Sequence, residues 1–289
     1  MTSTQLNCRT GGELYFKCEN FQKVAAFKAR GACNAVFLLD DAAKRGVVTH
    51  SSGNHGAALA WAAAKRGITA HIVMPANAPL VKKSAVESYG GKVVYCEPTI
   101  SAREAACAKL VRDLGLELVH PFNDYRIIAG QGTAALELLE EIPDLDIIVT
   151  PLGGGGLLAG TAVAAQGMNP HIRVIGAEPA GADDGYRSFR GGAIVQEATA
   201  NTICDGLRSL LGENSFSLIQ KHVDDIALAG EKNIVAAMRM TWEIMKILIE
   251  SSSATPLGAI LEGNLDVRSK RVGIILTGGN VDLDRLPWQ

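Results

Sequence analysis

Lys28 is an amine set among apolar and small residues, in Phe21-Gln22-Lys23-Val24-Ala25-Ala26-Phe27-Lys28-Ala29-Arg30-Gly31-Ala32. A lysine in apolar surroundings has a lowered pKa and becomes a nucleophilic amine, as Schiff-base chemistry requires. Taken alone, a lysine near a helix start is more often solvated surface. A second feature supplies an anion site. Four glycines, Gly153–Gly156, separate the strand-like Asp146-Ile147-Ile148-Val149-Thr150-Pro151-Leu152 from the helix-like Leu157-Leu158-Ala159-Gly160-Thr161-Ala162. A strand that turns through glycine into a helix leaves backbone N–H groups aimed at open space, where the helix dipole favours a phosphate. No side chain is needed, and any Cβ would block close approach.

The glycine run alone admits two guests. Gly154-x-Gly156-x-x-Ala159 also satisfies the dinucleotide fingerprint, and Glu178 ends the next strand near the spacing of a ribose-binding acid. Three more segments place polar residues at turns. Thr49-His50-Ser51-Ser52-Gly53-Asn54-His55-Gly56 joins a strand end to a helix start; its serines and Asn54 either cap the helix or frame a carboxylate site. Leu276-Thr277-Gly278-Gly279-Asn280 presents a hydroxyl after a strand. Ala177-Glu178-Pro179-Ala180-Gly181-Ala182-Asp183-Asp184 carries three carboxylates, suited to Mg²⁺ or Ca²⁺ or to a solvated acidic loop.

The elements that position these residues alternate between periods of two and 3.6. Strands are expected at Gly46–His50, Ala70–Pro75, Lys92–Cys96 and Glu117–His120. Helices are expected at Asn54–Arg66, Pro79–Tyr89 and Ile100–Leu114, with Gly and Pro at the joints. This βαβαβαβ run predicts a small parallel sheet. A second alternating region has a helix around Ile127–Ile142, the strand–glycine–helix unit and a strand at Arg173–Glu178. Pro179–Gly212 reads as irregular. Then follow helices at Ser215–His222, Glu231–Ile249 and Pro256–Glu262, and strands at Asp225–Leu228 and Arg271–Leu276. Leu14–Cys18 and Lys28–Leu39, a strand and a helix, are assigned to the C-terminal sheet. The expected fold is α/β with two parallel-sheet domains: 1–45 with 125–289 as the large one, and 46–124 as a small mobile insert.

Composition narrows the function classes. The chain has 289 residues, 47% hydrophobic and 20% charged, so it can bury a large core. A net charge of −2 without basic runs argues against nucleic acid. No apolar stretch approaches the ~20 residues of a membrane span. The N-terminus lacks a charged-then-apolar signal pattern. Six scattered cysteines without a C-x-x-C pair fit reduced thiols in a cytosolic protein.

In this order, the motifs resemble the serine racemase / serine–threonine dehydratase family. These are pyridoxal-phosphate enzymes of the tryptophan synthase β-like class, fold type II. The resemblance runs over essentially the whole chain. It rests on Phe16-Lys17-Cys18-Glu19 with Phe21-Gln22, Phe27-Lys28-x-Arg30-Gly31-Ala32, Ser51–Gly56, Ala129-Gly130-Gln131-Gly132-Thr133, Gly153–Gly156, Ala177-Glu178-Pro179 and Gly278-Gly279-Asn280. It implies that Lys28, preceded by Phe27, bonds the cofactor aldehyde and then acts as base on one face of Cα. By the same resemblance, Gly153, Gly154, Gly155 and Gly156 cup the phosphate, Asn54 binds the ring hydroxyl and Thr277 faces the pyridine nitrogen. Ser51, Ser52, Gly53, Asn54 and His55 hold the substrate carboxylate, Ser52 exchanges a proton on the opposite face, and Arg103 influences side-chain selectivity. Glu178, the Ala182 carbonyl and Asp184 match a site for Mg²⁺, Ca²⁺ or Mn²⁺. The implied activity is β-elimination from L-serine, L-threonine or a 3-hydroxy relative such as hydroxyaspartate, giving an oxo acid and ammonia, with serine racemisation from the same carbanion. A cytosolic homodimer with a nucleotide effector is the implied setting.

Departures from the family pattern accompany it. Val24-Ala25-Ala26 replaces a Gly-containing triplet, so an extra Cβ is expected to crowd the lysine's turn. Ser251 stands in place of a proline. Phe122 occupies a position that is Asn in mammalian serine racemase, a dehydratase-like trait. Family members carry a longer N-terminal segment ahead of Thr2, which bears on stability, nucleotide regulation and dimerisation. No regulatory domain after Gln289 argues against isoleucine feedback. The alternatives are a nicotinamide oxidoreductase and a truncated, non-catalytic protein of the same fold.

Overall fold

Strands rich in Val and Ile, each followed by a helix, build two separate parallel sheets. The computed structural model describes residues 1–40, 45–51, 53–78 and 80–289. Elements in chain order are α1 (Thr4–Thr10), β1 (Glu13–Cys18), α2 (Lys28–Leu38), β2 (Val47–His50), α3 (Asn54–Arg66), β3 (Ala70–Pro75), α4 (Leu80–Ser88), β4 (Lys92–Cys96), α5 (Ile100–Leu114) and β5 (Glu117–Leu118). They continue with α6 (Tyr125–Glu141), β6 (Ile147–Pro151), α7 (Gly156–Met168), β7 (Arg173–Pro179), α8 (Asp184–Gly191), α9 (Glu213–His222), β8 (Asp225–Ala229), α10 (Glu231–Met240), α11 (Ser251–Glu262) and β9 (Arg271–Leu276).

The first unit comprises Met1–Phe27 and Gln131–Gln289. Its five-stranded sheet has the order β1-β9-β6-β7-β8 and is parallel throughout. Central strands such as β6 are buried along their whole length, as a parallel sheet covered on both faces requires. The second unit, Lys28–Gly130, has a four-stranded parallel sheet of order β4-β3-β2-β5. β1 joins the C-terminal sheet through β9, from Glu13 beside Arg271 to Cys18 beside Leu276. α2 falls in the second unit, packed on α3, so the division comes at Phe27/Lys28 and Gly130/Gln131 rather than after residues 45 and 124.

The two glycines of the 129–133 motif are positions of close helix approach. A Cβ on Gly130 would stand 2.6 Å from the Cα of Gly31, and one on Gly132 would stand 2.6 Å from the Gly160 carbonyl oxygen. Helix backbones meet there at distances that a larger side chain forbids.

The structure corrects four local expectations. Residues 231–249 are not one helix: α10 stops at Met240, a π turn covers Thr241–Met245, and Lys246 is left-handed at φ 58°. The Trp242 indole donates to the Ile249 carbonyl at 3.0 Å and folds the chain back. The segment after Pro179 contains α8, whose first turn is held by Glu178. β5 ends at Leu118, two residues short of the expected His120, because His120 turns the chain instead.

Finally, α11 begins at Ser251 and carries Pro256 inside it. Proline cannot donate to the carbonyl four residues back, here that of Ser252. The Thr255 hydroxyl takes that carbonyl at 3.2 Å. Thr255→Val is therefore expected to strand a buried acceptor and lower the unfolding free energy by about 1–2 kcal/mol, read from urea denaturation. An unchanged denaturation midpoint would refute the compensation.

Candidate active site

In the first unit, β6 delivers the chain into the glycine loop and α7 leads it away. Gly155 caps α7 at φ 89°, and no side chain caps that helix start. Among the described residues, nothing accepts from the amides of Gly153, Gly154, Gly155 or Gly156. The loop has no room for side chains: a Cβ on Gly155 would meet Leu211 and Ser215 at 2.8 Å, and one on Gly153 would meet the Leu207 Cα at 3.0 Å. Unclaimed amides at a helix start in a side-chain-free cradle suit a phosphate.

Thr277 follows β9 and is buried. Its hydroxyl lies 2.9 Å from the Ser253 hydroxyl, which also donates to the Gly278 carbonyl at 2.8 Å and accepts from the Gly278 amide at 2.7 Å. The Thr277 side chain is thus backed by a second neutral hydroxyl. Ser253 escaped the sequence reading; the one available signal was its place in a hydroxyl-rich run, Ser251-Ser252-Ser253, ahead of an apolar helix.

Glu178 and Asp184 form a buried acidic pair in the same unit. Glu178 accepts from the Gly185 amide at 3.0 Å and the Tyr186 amide at 2.7 Å. Burial, and then the neighbouring Asp184, push Glu178 up to about 8. Burial likewise pushes Asp184 up to about 6. One Asp184 carboxylate oxygen, Oδ2, is buried without a hydrogen-bond partner. Ala182, the third expected contributor, is buried beside them in sequence. Among the described residues, no three His, Cys, Asp or Glu side chains gather as a metal cluster.

In the second unit, Lys28 opens α2 and donates its amine to the Pro121 carbonyl at 2.8 Å. Three histidines line this region. His120 Nδ1 accepts from the Asn123 amide at 2.9 Å and the Phe122 amide at 3.4 Å, shaping the turn that carries Pro121. Its ring stands edge-on to His50, with centroids 5.8 Å apart, and to Phe122, at 4.7 Å. His55 is buried, with Nε2 3.3 Å from the Val119 carbonyl and Nδ1 unpartnered. Burial, aided by the charge of Lys28, holds His55 well below its usual value, and burial with His50 lowers His120 to about 4. The imidazoles are neutral at physiological pH. His50 and His120 were not singled out in the sequence; His50 ends β2 and His120 follows the end of β5 by two residues, the sheet edge where ligands of open α/β sheets bind.

α3 starts at Asn54 after Gly53, and among the described residues no side-chain cap is made at that helix start. Ser51 Oγ accepts from the Gly53 amide at 3.2 Å. Ser52 lies outside the described residues. Burial lowers the His50 pKa, with Glu104 opposing and Arg103, on α5, adding a smaller depression; the Arg103 Nε is buried without a partner.

The chain matches the family model of pyridoxal-phosphate dependent enzymes over residues 1–278. It belongs to that family. It is 50% identical over 288 residues to β-hydroxyaspartate dehydratase of Paracoccus denitrificans (strain Pd 1222), covering 99% of this chain and 91% of the relative. The crystal structure of serine racemase from Dictyostelium discoideum superposes with a TM-score of 0.93 at 50% identity, over 98% of this chain and 92% of that one. A solved threonine deaminase, from T.th., gives a TM-score of 0.93 at 38% identity, over 98% and 92%. The two parallel sheets are those of the tryptophan synthase β-like class, fold type II.

The family match is to pyridoxal-phosphate dependent enzymes rather than to a nicotinamide oxidoreductase, and their cofactor carries a phosphate of the kind the unclaimed glycine amides suit. The unclaimed amides and the neutral Thr277–Ser253 pair fit the phosphate and the ring nitrogen.

His120 makes the enzyme's stability depend on pH with a defined sign. Its folded pKa of about 4 lies below its ordinary 6.5, so the unfolded chain binds more protons between these values. Stability from this group is present above pH 6.5 and lost as pH falls towards 4. Relative to His120→Asn, whose amide oxygen can accept the same backbone N–H groups, wild type should lose about 2 kcal/mol over that window. Parallel urea-denaturation profiles across the window would refute the assignment.

Proposed function

We propose that this enzyme catalyses β-elimination from a 3-hydroxy amino acid, releasing an oxo acid and ammonia, together with racemisation of serine. The observation that carries this reading is the buried Thr277 hydroxyl paired with Ser253, a neutral partner for a ring nitrogen. Pyridoxal phosphate, when bound, supplies an electron sink that acidifies Cα–H of an attached amino acid. A hydroxyl, unlike a carboxylate, would not hold a proton on that nitrogen, so the sink would be weak, favouring rapid loss of a β-hydroxyl over slower side reactions.

The roles of the chain's own residues follow. The Gly153–Gly156 amides would hold the phosphate, Asn54 the ring hydroxyl and Lys28 the aldehyde. Lys28, once released, takes the Cα proton, with the neutral imidazoles of His55 and His120 beside it. Ser51, Ser52, Gly53, Asn54 and His55, at the start of α3, receive the substrate carboxylate. Ser52 moves a proton on the opposite face, which opens the route to the D-amino acid. Arg103, with its unpartnered Nε, would accept a second carboxylate, and this extends the substrate class to 3-hydroxyaspartate. The relative named β-hydroxyaspartate dehydratase supports that extension.

Four activities test the assignment: oxo acid from L-serine, L-threonine and 3-hydroxyaspartate, and D-serine from L-serine. Lys28→Ala should lose the visible cofactor band and all four; a retained band would sink the proposal. Ser52→Ala should abolish D-serine formation while sparing elimination, and equal loss of both refutes its role. Arg103→Leu should lower kcat/KM for 3-hydroxyaspartate by about 30-fold, as for a lost charge-assisted pair, and spare L-serine.

A divalent cation such as Mg²⁺ would be held by Glu178, Asp184 and the Ala182 carbonyl, supplying positive charge to the unmet Asp184 oxygen. Added Mg²⁺ should raise the melting temperature of wild type and leave Asp184→Asn unmoved. Equal shifts in both would exclude the site.

A further inference from the structure

We propose that Asn280 is a positioning residue for Lys28, clamping two residues of strained backbone that lead into it. Val24 lies at φ 57°, ψ 20° and Ala25 at φ 50°. Both are L-residues in the left-handed region, where Cβ crowds the following carbonyl, and Val24 is β-branched as well. Two such residues in succession persist only where the surroundings over-determine them.

Here the surroundings are residues 277–280, which run antiparallel to 24–27 with one partner each. The Asn280 side-chain amide donates to the Val24 carbonyl at 2.8 Å, and the Gly279 amide donates to the Ala25 carbonyl at 3.0 Å. Ala26 bridges Gly278, and the Phe27 amide donates to the Thr277 carbonyl at 2.9 Å. The clamp is itself anchored, since Ser253 holds Gly278 at both its amide and its carbonyl. Of the four links, the one from Asn280 is made by a side chain, so it is the one that mutation can remove. It grips the first strained residue, four positions before Lys28.

Left-handed residues released from this grip relax to right-handed or extended backbone and swing the peptide from which Lys28 departs. The inference rests on Lys28 being the cofactor lysine, as proposed above. The clamp itself can be tested independently of the reaction, because glycine adopts the left-handed conformation without steric cost. With glycine at position 25 the loop keeps its shape without Asn280.

The experiment is a double-mutant cycle of Asn280→Ala and Ala25→Gly on the holoenzyme, read in melting temperature, circular dichroism of the visible cofactor band, and kcat with KM. Asn280→Ala should lower the melting temperature, weaken the band's dichroism and reduce kcat about tenfold with KM within about twofold, the scale of one unsupported left-handed residue. The double variant should recover at least half of each loss. Additive melting temperatures overturn the clamp. Coupled melting temperatures with wild-type dichroism and kcat in Asn280→Ala overturn the positioning of Lys28. Failure of the proposed function is read separately, from a visible band that survives Lys28→Ala.

Discussion

One buried hydroxyl, that of Ser253, underlies the first unit's site. It engages Thr277 through its side chain and Gly278 through both backbone groups. A serine has one proton and two lone pairs, so these three contacts exhaust it. The segment it pins is the one that lines up along residues 24–27, including the two left-handed positions. The orientation of the Thr277 hydroxyl and the path of the chain into Lys28 therefore share one anchor. α11 can place Ser253 there because Thr255 covers the carbonyl that Pro256 leaves unpaired.

Burial sets the charge state of the titratable groups throughout. In the second unit, it strips protons from three imidazoles. In the acidic pair it does the reverse, favouring protonated Glu178 and Asp184 unless a cation compensates. Both effects come from loss of water, with nearby charges as smaller contributors. The glycine loop follows another logic. Its attraction comes from amides and a helix dipole, fixed by the backbone and indifferent to pH.

The chemistry was legible where it lay in one contiguous segment at a strand end. The Gly153–Gly156 run is confirmed as an uncapped turn into a helix, and its meaning follows from the absence of side chains. Strands such as Ala70–Pro75, Lys92–Cys96 and Arg271–Leu276, and the helix Asn54–Arg66, fell where hydrophobic alternation put them. Their hydrogen bonds are local or set by simple βα periodicity, so composition and spacing suffice. The same reasoning failed on Glu231–Ile249, where the side chain of Trp242 binds a carbonyl seven residues on and overrides helix propensity. It missed α8 because Glu178, outside the helix, supplies the caps.

By itself the sequence determined the α/β class, the glycine turn into a helix and the order of motifs that marks a pyridoxal-phosphate enzyme. Each is written in neighbouring residues. The tertiary structure decided which groups back them: Ser253 behind Thr277, the Pro121 carbonyl on Lys28, and Asn280 on Val24. These contacts join residues 24, 93 and 256 positions apart in the chain. No local pattern encodes them, because a hydrogen bond between distant segments depends on where two elements stop and turn. Val24 and Ala25 show the consequence. A triplet that looked too crowded for the turn adopts it nonetheless, held by partners from the far end of the chain.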